Sequence, residues 1–465
     1  MMEARLGDVR SSAGGRVAST GRSGRNGVAF GLYLALVVFT LLSIPSRFNG
    51  LGAARPTIVL IAVIALLIVL GRTQLNEAAV SRTSAKLNLL IAYVLVTLPF
   101  VQWPGSVLRF GLENLTKAVV FFYFTASLVD SVPRLRLLVA VVVGCQVIRV
   151  LEPLYLHVVT GYWGSQAHMM DGGSLARLSG APSDIINPNG LAFVILTALP
   201  FLHYLMGCSD RTVFRGIYAL LLAALMYAFI LTGSRSGLVG LSVIVAVIVW
   251  RSPRRMVLGA TVSIVGLLMF LGMSADMRER YLSLAESGTR HAETRDGRIA
   301  GWKADFSVAM QRPVFGHGLG TSAETMANFA GRPQIAHNLY TEVLLELGIV
   351  GFVLYLRVLA STLQNVARAR ARAREVCAQP CESSSDEVDL RYVMRLSEAI
   401  FAWVVMCLVF SMASYGLSEF YWYLVAGISV ALVRVLSHTS QTSGSTGPPM
   451  VRRSPRLVRV PASPP

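Results

Sequence analysis

Three residues could together act on a phosphate-linked substrate: one histidine, His337, and two arginines, Arg235 and Arg298. His337 ends a long polar segment, and an apolar run from Leu339 to about Ala360 follows it directly. The positive end of a helix dipole disfavours an imidazolium ion, so a histidine at a helix start stays neutral and can accept a proton. The ring could instead cap the helix or bind interfacial water. His337 is therefore a candidate general base for chemistry near neutral pH.

Arg235 lies in a tight turn, 232–237, between two apolar runs, so its guanidinium must stay near a membrane edge. A buried arginine needs an anionic partner, and its planar fork of donors suits phosphate oxygens. A structural pair with Glu113, Glu342 or Glu346 would satisfy the same need.

Arg298 belongs to a group of residues at helical spacing: Arg298, Gly301, Trp302, Asp305 and Phe306. The spacing predicts a helix with arginine and aromatic rings on one face, ended by Arg312 and Pro313. The alternative for Arg298 is a solvent-exposed surface arginine without a role in binding. Three glycines follow that would let the backbone approach a ligand closely: Gly316, Gly318 and Gly320.

The elements that must position these residues are membrane helices. Hydrophobic residues make up 54% of the 465 residues and charged residues 14%, against about 25% charged in an average soluble domain. Apolar runs predict an all-α polytopic membrane protein with about twelve transmembrane helices. The runs lie near 28–44, 56–70, 87–101, 115–130, 135–156, 189–206, 213–231, 236–250, 255–272, 339–360, 398–413 and 416–436.

The distribution of lysine and arginine predicts the orientation, with both termini in the cytoplasm. Residues 1–27 then form a basic cytoplasmic N-terminus, for which a cleaved signal is the alternative, and residues 28–436 form one membrane domain. The loops at about 157–188 and 273–338 fall outside, and the second is long enough for a small subdomain. We expect the inner loop 361–397 to be partly disordered and the tail 437–465 to be disordered.

The net charge of +17 is mostly a topology signal, and no nucleic-acid motif accompanies it. None of the five cysteines falls in an outer loop, so we expect no disulfide framework. The sequence lacks a P-loop, an HExxH motif and a GxSxG elbow. We therefore expect chemistry without a cofactor or metal, on an already activated donor.

Ionisable residues near membrane depth crowd the outer side: Glu113, Lys117, Arg149, Glu152, Arg235, Glu342, Glu346 and Glu419. Charges at such depth are costly and usually mark function. A transporter should place them near the midplane, whereas an enzyme acting on a lipid headgroup should place them at one interface. The pattern favours the enzyme over an anion or lipid-linked glycan transporter, or a scaffolding protein.

Four stretches of the chain, within about 175–355, resemble the O-antigen ligase and polysaccharide polymerase family of bacterial inner-membrane proteins. They are Arg177–Gly180 with Asn187–Asn189; Thr232–Gly237; Arg298–Trp302 with Pro313–Gly320; and His337–Tyr340 with Glu346–Gly348 and Gly351. The resemblance implies a polytopic, C-type glycosyltransferase-like enzyme of the inner membrane with a periplasmic active site.

The resemblance also implies the chemistry: inverting, metal-independent transfer of a glycan from undecaprenyl diphosphate to an acceptor hydroxyl. Arg235 and Arg298 would bind the diphosphate, and His337 would activate the acceptor. Additional substrate-binding candidates are Arg177, Trp302, Asn338 and Tyr340. For the segment of Arg177, the alternative is a structural role as a turn and helix cap. The acceptor would be lipid A core for a ligase, in lipopolysaccharide biosynthesis. It would be a second lipid-linked glycan for an O-antigen or exopolysaccharide polymerase, and the motifs do not separate the two.

Overall fold

The structure, a computed structural model, contains helices and no strands in the part of the chain that it describes. The described residues are 26–48, 50, 52, 54–70, 81–164, 166, 176–272, 275–282, 292–331, 333, 335–377, 384–414 and 416–444. The predicted N-terminal segment up to residue 25 and the tail from residue 445 lie outside them.

The principal helices are α1 (Asn26–Leu41), α2 (Pro56–Leu70), α3 (Arg82–Thr97), α4 (Leu112–Leu128), α5 (Val132–Thr160), α6 (Pro188–Phe201), α7 (Thr212–Thr232), α8 (Arg235–Arg251), α9 (Arg255–Leu271), α10 (Ala275–Leu282), α11 (Ala292–Ala309), α12 (Ser322–Ala330), α13 (Leu339–Cys377), α14 (Ser384–Phe410) and α15 (Phe420–Gly444). Short π-helical stretches precede α4, at Val107–Gly111, and follow α6, at Leu202–Gly207. The last helix continues to Gly444, past the predicted start of the tail at residue 437.

A helix overlaps each apolar run of the sequence, which supports a multi-pass membrane protein. Within the described ranges, seven helices are long and apolar enough to cross a membrane: α3, α5, α6, α7, α13, α14 and α15, some with their flanking turns. Helices α1, α2 and part of α9 are apolar but shorter. The count of twelve spans therefore stays a prediction.

Helix α13 differs from the single apolar helix that the sequence predicts. It is broken at Gly348, whose φ of 65° and ψ of −171° are not helical. The loop before α12 occupies the break: the His317 amide donates to the Leu345 carbonyl (2.9 Å), and the Ile349 amide donates to the Pro313 carbonyl (2.7 Å). These bonds satisfy backbone groups that a break at membrane depth would leave unpaired.

Two glycines of the glycine-rich stretch approach protein backbone closely, and an approach of this stretch to a ligand stays a prediction. A Cβ on Gly316 would lie 2.6 Å from the Leu347 amide, and one on Gly320 would lie 2.7 Å from the Gly111 Cα. Both glycines have a φ of 72°. They let the loop lie against α13 and the start of α4.

The inner loop also differs from expectation, because α13 runs to Cys377 and α14 starts at Ser384. The alternating Arg–Ala run at 368–374 has high helix propensity and continues the helix. Arg370, on this extension, and Arg251 form ion pairs with Glu398 of α14. The predicted disorder is therefore wrong for residues 361–377 and 384–397, and 378–383 lie outside the described part.

Two carboxylates inside α13 bind the loops at one end of the bundle. Glu342 accepts hydrogen bonds from the Gly416 amide (2.7 Å) and the Leu417 amide (3.2 Å). Glu346 accepts from the Gly320 amide (2.7 Å) and the Ser322 amide (3.3 Å). Both side chains are buried, and they satisfy loop amides that would otherwise have no acceptor.

Candidate functional site

A cavity of about 630 Å³ lies at the end of the bundle where α6, α13 and α15 begin and α14 ends. One wall of this main cavity is α11 with the approach to α13. The other wall is α5, the start of α6 with the segment before it, and the start of α15. The polar residues of the two walls are Arg298, Asp305 and His337 on the first, and Arg149, Asn187, Asn189, Glu419 and Tyr421 on the second.

Helix α11 brings the predicted arginine and tryptophan to the cavity on one face. Arg298 and Trp302 are one helical turn apart, and both line the cavity, as does Asp305. The Nε1 atom of Trp302 is buried and has no hydrogen-bond acceptor in the described part of the chain. Phe306 is 51% exposed and does not line the cavity, and the helix ends at Ala309, earlier than predicted. The helical spacing therefore holds for Arg298 and Trp302 and fails for Phe306.

His337 is half-buried beside Arg298, at the point where the chain approaches α13. Burial, and secondarily the charge of Arg298, lower the pKa of His337 below its ordinary value. The sequence suggests the same direction from the helix dipole, but the causes in the structure are burial and a neighbouring cation. A neutral imidazole beside a fixed positive charge can accept a proton near neutral pH.

Asn338 and Tyr340, just after the histidine, form hydrogen bonds with backbone groups. Asn338 caps α13, because its side-chain oxygen accepts from the Tyr340 amide (2.9 Å) and the Thr341 amide (3.4 Å). The Tyr340 hydroxyl donates to the Leu408 carbonyl of α14 (2.6 Å). Neither residue lines the main cavity, so their roles in binding substrate stay predictions.

Asp305 shares the first wall with His337 and is tied to α13. The Thr341 hydroxyl donates to the Asp305 carboxylate at 3.1 Å. Burial raises the pKa of Asp305, and the bond from Thr341 offsets part of that effect. The contact fixes α11 against the start of α13, on which the position of His337 depends.

Arg235 lines a second, smaller cavity of about 290 Å³, which we call the lateral cavity. It lies between α8, α11 and α14, and its lining is mostly apolar. Its lining residues Val239 and Met412 are 43% and 46% exposed, so it opens at the side of the bundle. The lateral cavity shares four lining residues with the main cavity: Arg298, Trp302, Phe410 and Ala413. Arg298 and His337 therefore share one cavity, and Arg298 and Arg235 share the adjoining one.

The turn that holds Arg235 is built by small polar residues. Gly233 takes a φ of 53°, and the Ser234 hydroxyl caps α8 by accepting from the Gly237 amide (3.1 Å). The same hydroxyl donates to the Asn189 side chain (2.8 Å), which connects the turn to the start of α6. The three glutamates that could have paired with Arg235 contact other groups. Glu113 pairs with Lys117, and Glu342 and Glu346 bind backbone amides as described above.

Arg177 lies apart from both cavities. It is 2% exposed, its Nε donates to the Thr232 carbonyl (2.7 Å), and its Nη2 donates to Asn189 (3.0 Å). These bonds tie the segment before α6 to the end of α7. The structure thus places Arg177 behind the turn that positions Arg235, and direct substrate binding by it stays a prediction.

The second wall contains a buried network that the sequence did not identify as part of the site. Arg149 of α5 donates from Nε and Nη2 to the two oxygens of Asp184, at 2.7 and 3.0 Å. Its Nη1 donates to the Tyr421 hydroxyl (3.0 Å) and to Gln146 (3.2 Å). The sequence indicates only that Arg149 and Glu419 lie on the outer side. The pairing of Arg149 with Asp184 is a tertiary contact that no local pattern predicts.

The motifs of α8, α11 and α13 fall within a region known from other proteins. Residues 219–356 match the family described as O-antigen ligase. No curated protein matches the chain. The matched region contains Arg235, Arg298 and His337, and the second wall of the main cavity lies outside it. The match confirms the resemblance seen in the sequence: residues 219–356 belong to the O-antigen ligase family.

Proposed function

We propose that the protein transfers a glycan from undecaprenyl diphosphate to an acceptor hydroxyl at the periplasmic face of the bacterial inner membrane. One observation carries the proposal: His337 and Arg298 share the main cavity, and Arg298 also borders the lateral cavity that Arg235 lines. The family match supports a glycosyltransferase-like membrane enzyme.

In the proposal, the lateral cavity receives the polyprenyl chain. Its apolar lining and its opening at the side of the bundle suit a lipid chain that enters from the membrane. The diphosphate then lies between Arg235 and Arg298, whose donors match phosphate oxygens. The glycan extends into the main cavity, where polar groups and aromatic rings line the walls.

The reaction in this arrangement is a single inverting displacement. His337 takes the proton of the acceptor hydroxyl, and the hydroxyl oxygen forms a bond to the anomeric carbon. The bond from that carbon to the diphosphate oxygen breaks, and its electron pair leaves with the diphosphate. Arg235 and Arg298 stabilise this growing negative charge, which is larger in the transition state than in the bound donor.

The expected losses of rate follow from the usual free-energy contributions of hydrogen bonds and of general-base catalysis. A hydrogen bond to a charged group contributes about 1.5–3 kcal/mol, so loss of either arginine should slow transfer about 10- to 100-fold. General-base assistance contributes about 10²- to 10⁴-fold.

The position of the charges favours this function over transport. Several polar residues of the main cavity lie at or just before the starts of α6, α13 and α15: Asn187, Asn189, His337, Glu419 and Tyr421. Arg298 and Asp305 lie on α11, between the apolar helices α9 and α13, and Arg149 lies within α5. A transporter should hold its substrate near the middle of the membrane.

The experiment that tests the proposal uses the purified full chain in lipid nanodiscs. It combines undecaprenyl-diphosphate-linked glycan with either lipid A core or a second lipid-linked glycan as acceptor. The unaltered protein should form a new glycosidic bond, and the productive acceptor tells a ligase from a polymerase. His337→Ala should lower the rate at least about 100-fold. His203→Ala, in the π-helical stretch after α6 and away from the cavity, is the matched control and should retain the rate. Flux of the glycan without bond formation would favour a transporter.

A further inference from the structure

The second wall of the main cavity contains polar groups to which the proposed transfer assigns no individual role. They are Arg149 of α5, Asn187 before α6, and Glu419 and Tyr421 at the start of α15. These residues lie outside the segment that matches the O-antigen ligase family. Their hydrogen-bonding state indicates the kind of ligand that this wall can bind.

Arg149 is charge-neutralised and held rigidly. Asp184 takes two of its five N–H donors, and Gln146 and Tyr421 take two more. One N–H of Nη2 has no acceptor within the described ranges. Because the Asp184 carboxylate balances the guanidinium charge, this edge of the cavity attracts an anion less than Arg235 and Arg298 can. It can still donate a hydrogen bond to a neutral oxygen.

Tyr421 has a hydroxyl proton to donate. Its oxygen accepts from Arg149 (3.0 Å) and from Gln146 (3.2 Å), so both of its lone pairs are used. The described residues provide no acceptor for its own O–H. The ring is fixed by stacking on Phe420, with centroids 4.2 Å apart.

Glu419 supplies the complementary acceptor. It lines the cavity, and its carboxylate accepts no hydrogen bond from any described residue. Arg149 attracts it electrostatically, but the ion pair of Arg149 is with Asp184. A carboxylate here repels phosphate and accepts hydrogen bonds from hydroxyl groups. Asn187 uses its side-chain oxygen to cap α6 (2.9 Å), which leaves its amide donors for a ligand.

Aromatic rings lie beside these polar groups, among them Phe193, Phe420 and Trp422. A sugar ring presents an apolar C–H face and a rim of hydroxyls, each of which both donates and accepts a hydrogen bond. Aromatic faces suit the first feature, and adjacent donors and acceptors suit the second.

We propose that Arg149, Glu419 and Tyr421 form a sugar subsite, which binds a hydroxyl-rich ring of the glycan and not the diphosphate. This inference rests on the proposed function for the origin of the sugar. The ring can come from the lipid-linked donor, whose glycan enters the same cavity from Arg298, or from the acceptor. The shared chemistry is a neutral sugar ring bound by a carboxylate acceptor, a tyrosine hydroxyl and aromatic faces.

The test is Glu419→Gln, because the Glu419 side chain makes no hydrogen bond on which folding depends. Affinity is measured by tryptophan fluorescence, since Trp302, Trp403 and Trp422 line the cavity. The two probes are sugar-free undecaprenyl diphosphate and the native undecaprenyl-diphosphate-linked glycan. We expect the variant to weaken binding of the glycan-bearing lipid about tenfold and to leave binding of the sugar-free lipid unchanged.

Tyr421→Phe is the second variant and should weaken the same binding about 2- to 10-fold. Matched controls remove the same groups elsewhere. They are Glu387→Gln, an exposed residue paired with Arg391, and Tyr33→Phe, whose hydroxyl contacts Thr125. Both controls should leave both affinities unchanged.

A turnover assay separates the two sources of the sugar and keeps the two proposals independent. If the acceptor supplies the ring, Glu419→Gln raises KM for the acceptor and not the affinity for the donor. Binding of the glycan-bearing lipid can change in the variants while the unaltered protein forms no glycosidic bond. In that case the sugar subsite is supported and the proposed glycan transfer is refuted. If transfer proceeds and neither affinity nor KM changes in the variants, the subsite is refuted. Equal weakening of the sugar-free lipid also refutes it.

Discussion

The break in α13 gives a quantitative prediction, because one glycine allows it. Gly348 has a φ of 65° and a ψ of −171°, a region that residues with a side chain rarely occupy. A Cβ there would lie 2.5 Å from the Val314 carbonyl carbon and 2.8 Å from the Gly316 amide. Gly348→Ala therefore creates both backbone strain and a steric overlap with the loop that fills the break.

The two effects have known sizes. A non-glycine residue in this backbone region costs about 1–3 kcal/mol, and overpacking costs about another 1–3 kcal/mol. The sum, about 2–6 kcal/mol, is a large part of the stability of a typical domain. Relief of the overlap would displace residues 313–316 from α13. The segment before the break carries His337 at its start, so activity should fall together with stability.

The assay is thermal unfolding of the purified chain in detergent, with glycan transfer measured on the same sample. We expect Gly348→Ala to lower the apparent Tm by about 5 °C or more. The control is Gly266→Ala in α9, where an added Cβ meets nothing within 4 Å and alanine favours the helix. If both variants unfold at the temperature of the unaltered protein, the break is not a constraint on the fold.

Two further variants test the electrostatics of the site. In Arg298→Gln, the pKa of His337 should rise, because the charge of Arg298 helps to lower it. Since neutral His337 is the active form, the acid limb of the kcat/KM profile should move to higher pH. An acid limb that does not move would show that a group other than His337 controls it. In Asp184→Asn, Arg149 loses the carboxylate that neutralises it, which should destabilise the protein by about 3–5 kcal/mol in denaturation. The exposed pair of Asp130 and Arg134 is the comparison, and Asp130→Asn should cost less than about 1 kcal/mol. Equal losses would mean that burial does not strengthen the first pair.

Local sequence patterns predicted two features: the α11 face in the first wall of the main cavity and the turn that holds Arg235. The i, i+4 spacing of Arg298 and Trp302 predicted a shared helical face, and both residues line the cavity. The turn at 232–237 predicted a fixed arginine, and Ser234 builds that turn as a cap. These features depend on neighbours within a few residues, which the sequence displays directly.

The second wall could not be predicted, because it depends on contacts between distant segments. Asp184 pairs with a residue 35 positions away, and Tyr421 contacts one 272 positions away. Hydrophobic periodicity does not encode such partners. The break in α13 has the same origin: Leu339–Ala360 is mostly apolar, with Glu342, Glu346 and Arg357 as its charged residues, and the loop at 313–318 occupies the break.

The high helix propensity of the inner loop explains why residues expected to be partly disordered are helical. The charge reversal along 361–397 favours a solvated segment, but alanine and arginine are strong helix formers. Glu398 also provides a carboxylate that pairs with the extension at Arg370. A high charge density is therefore compatible with a long helix when a neighbouring helix supplies the counter-charge.

The most direct test of the proposed function is an experimental structure of the chain with undecaprenyl diphosphate bound. We predict that phosphate oxygens lie about 3 Å from the guanidinium groups of both Arg235 and Arg298, with the lipid chain in the lateral cavity and His337 facing the main cavity. A diphosphate bound elsewhere, or two guanidinium groups that point away from it, would contradict the proposed reaction centre.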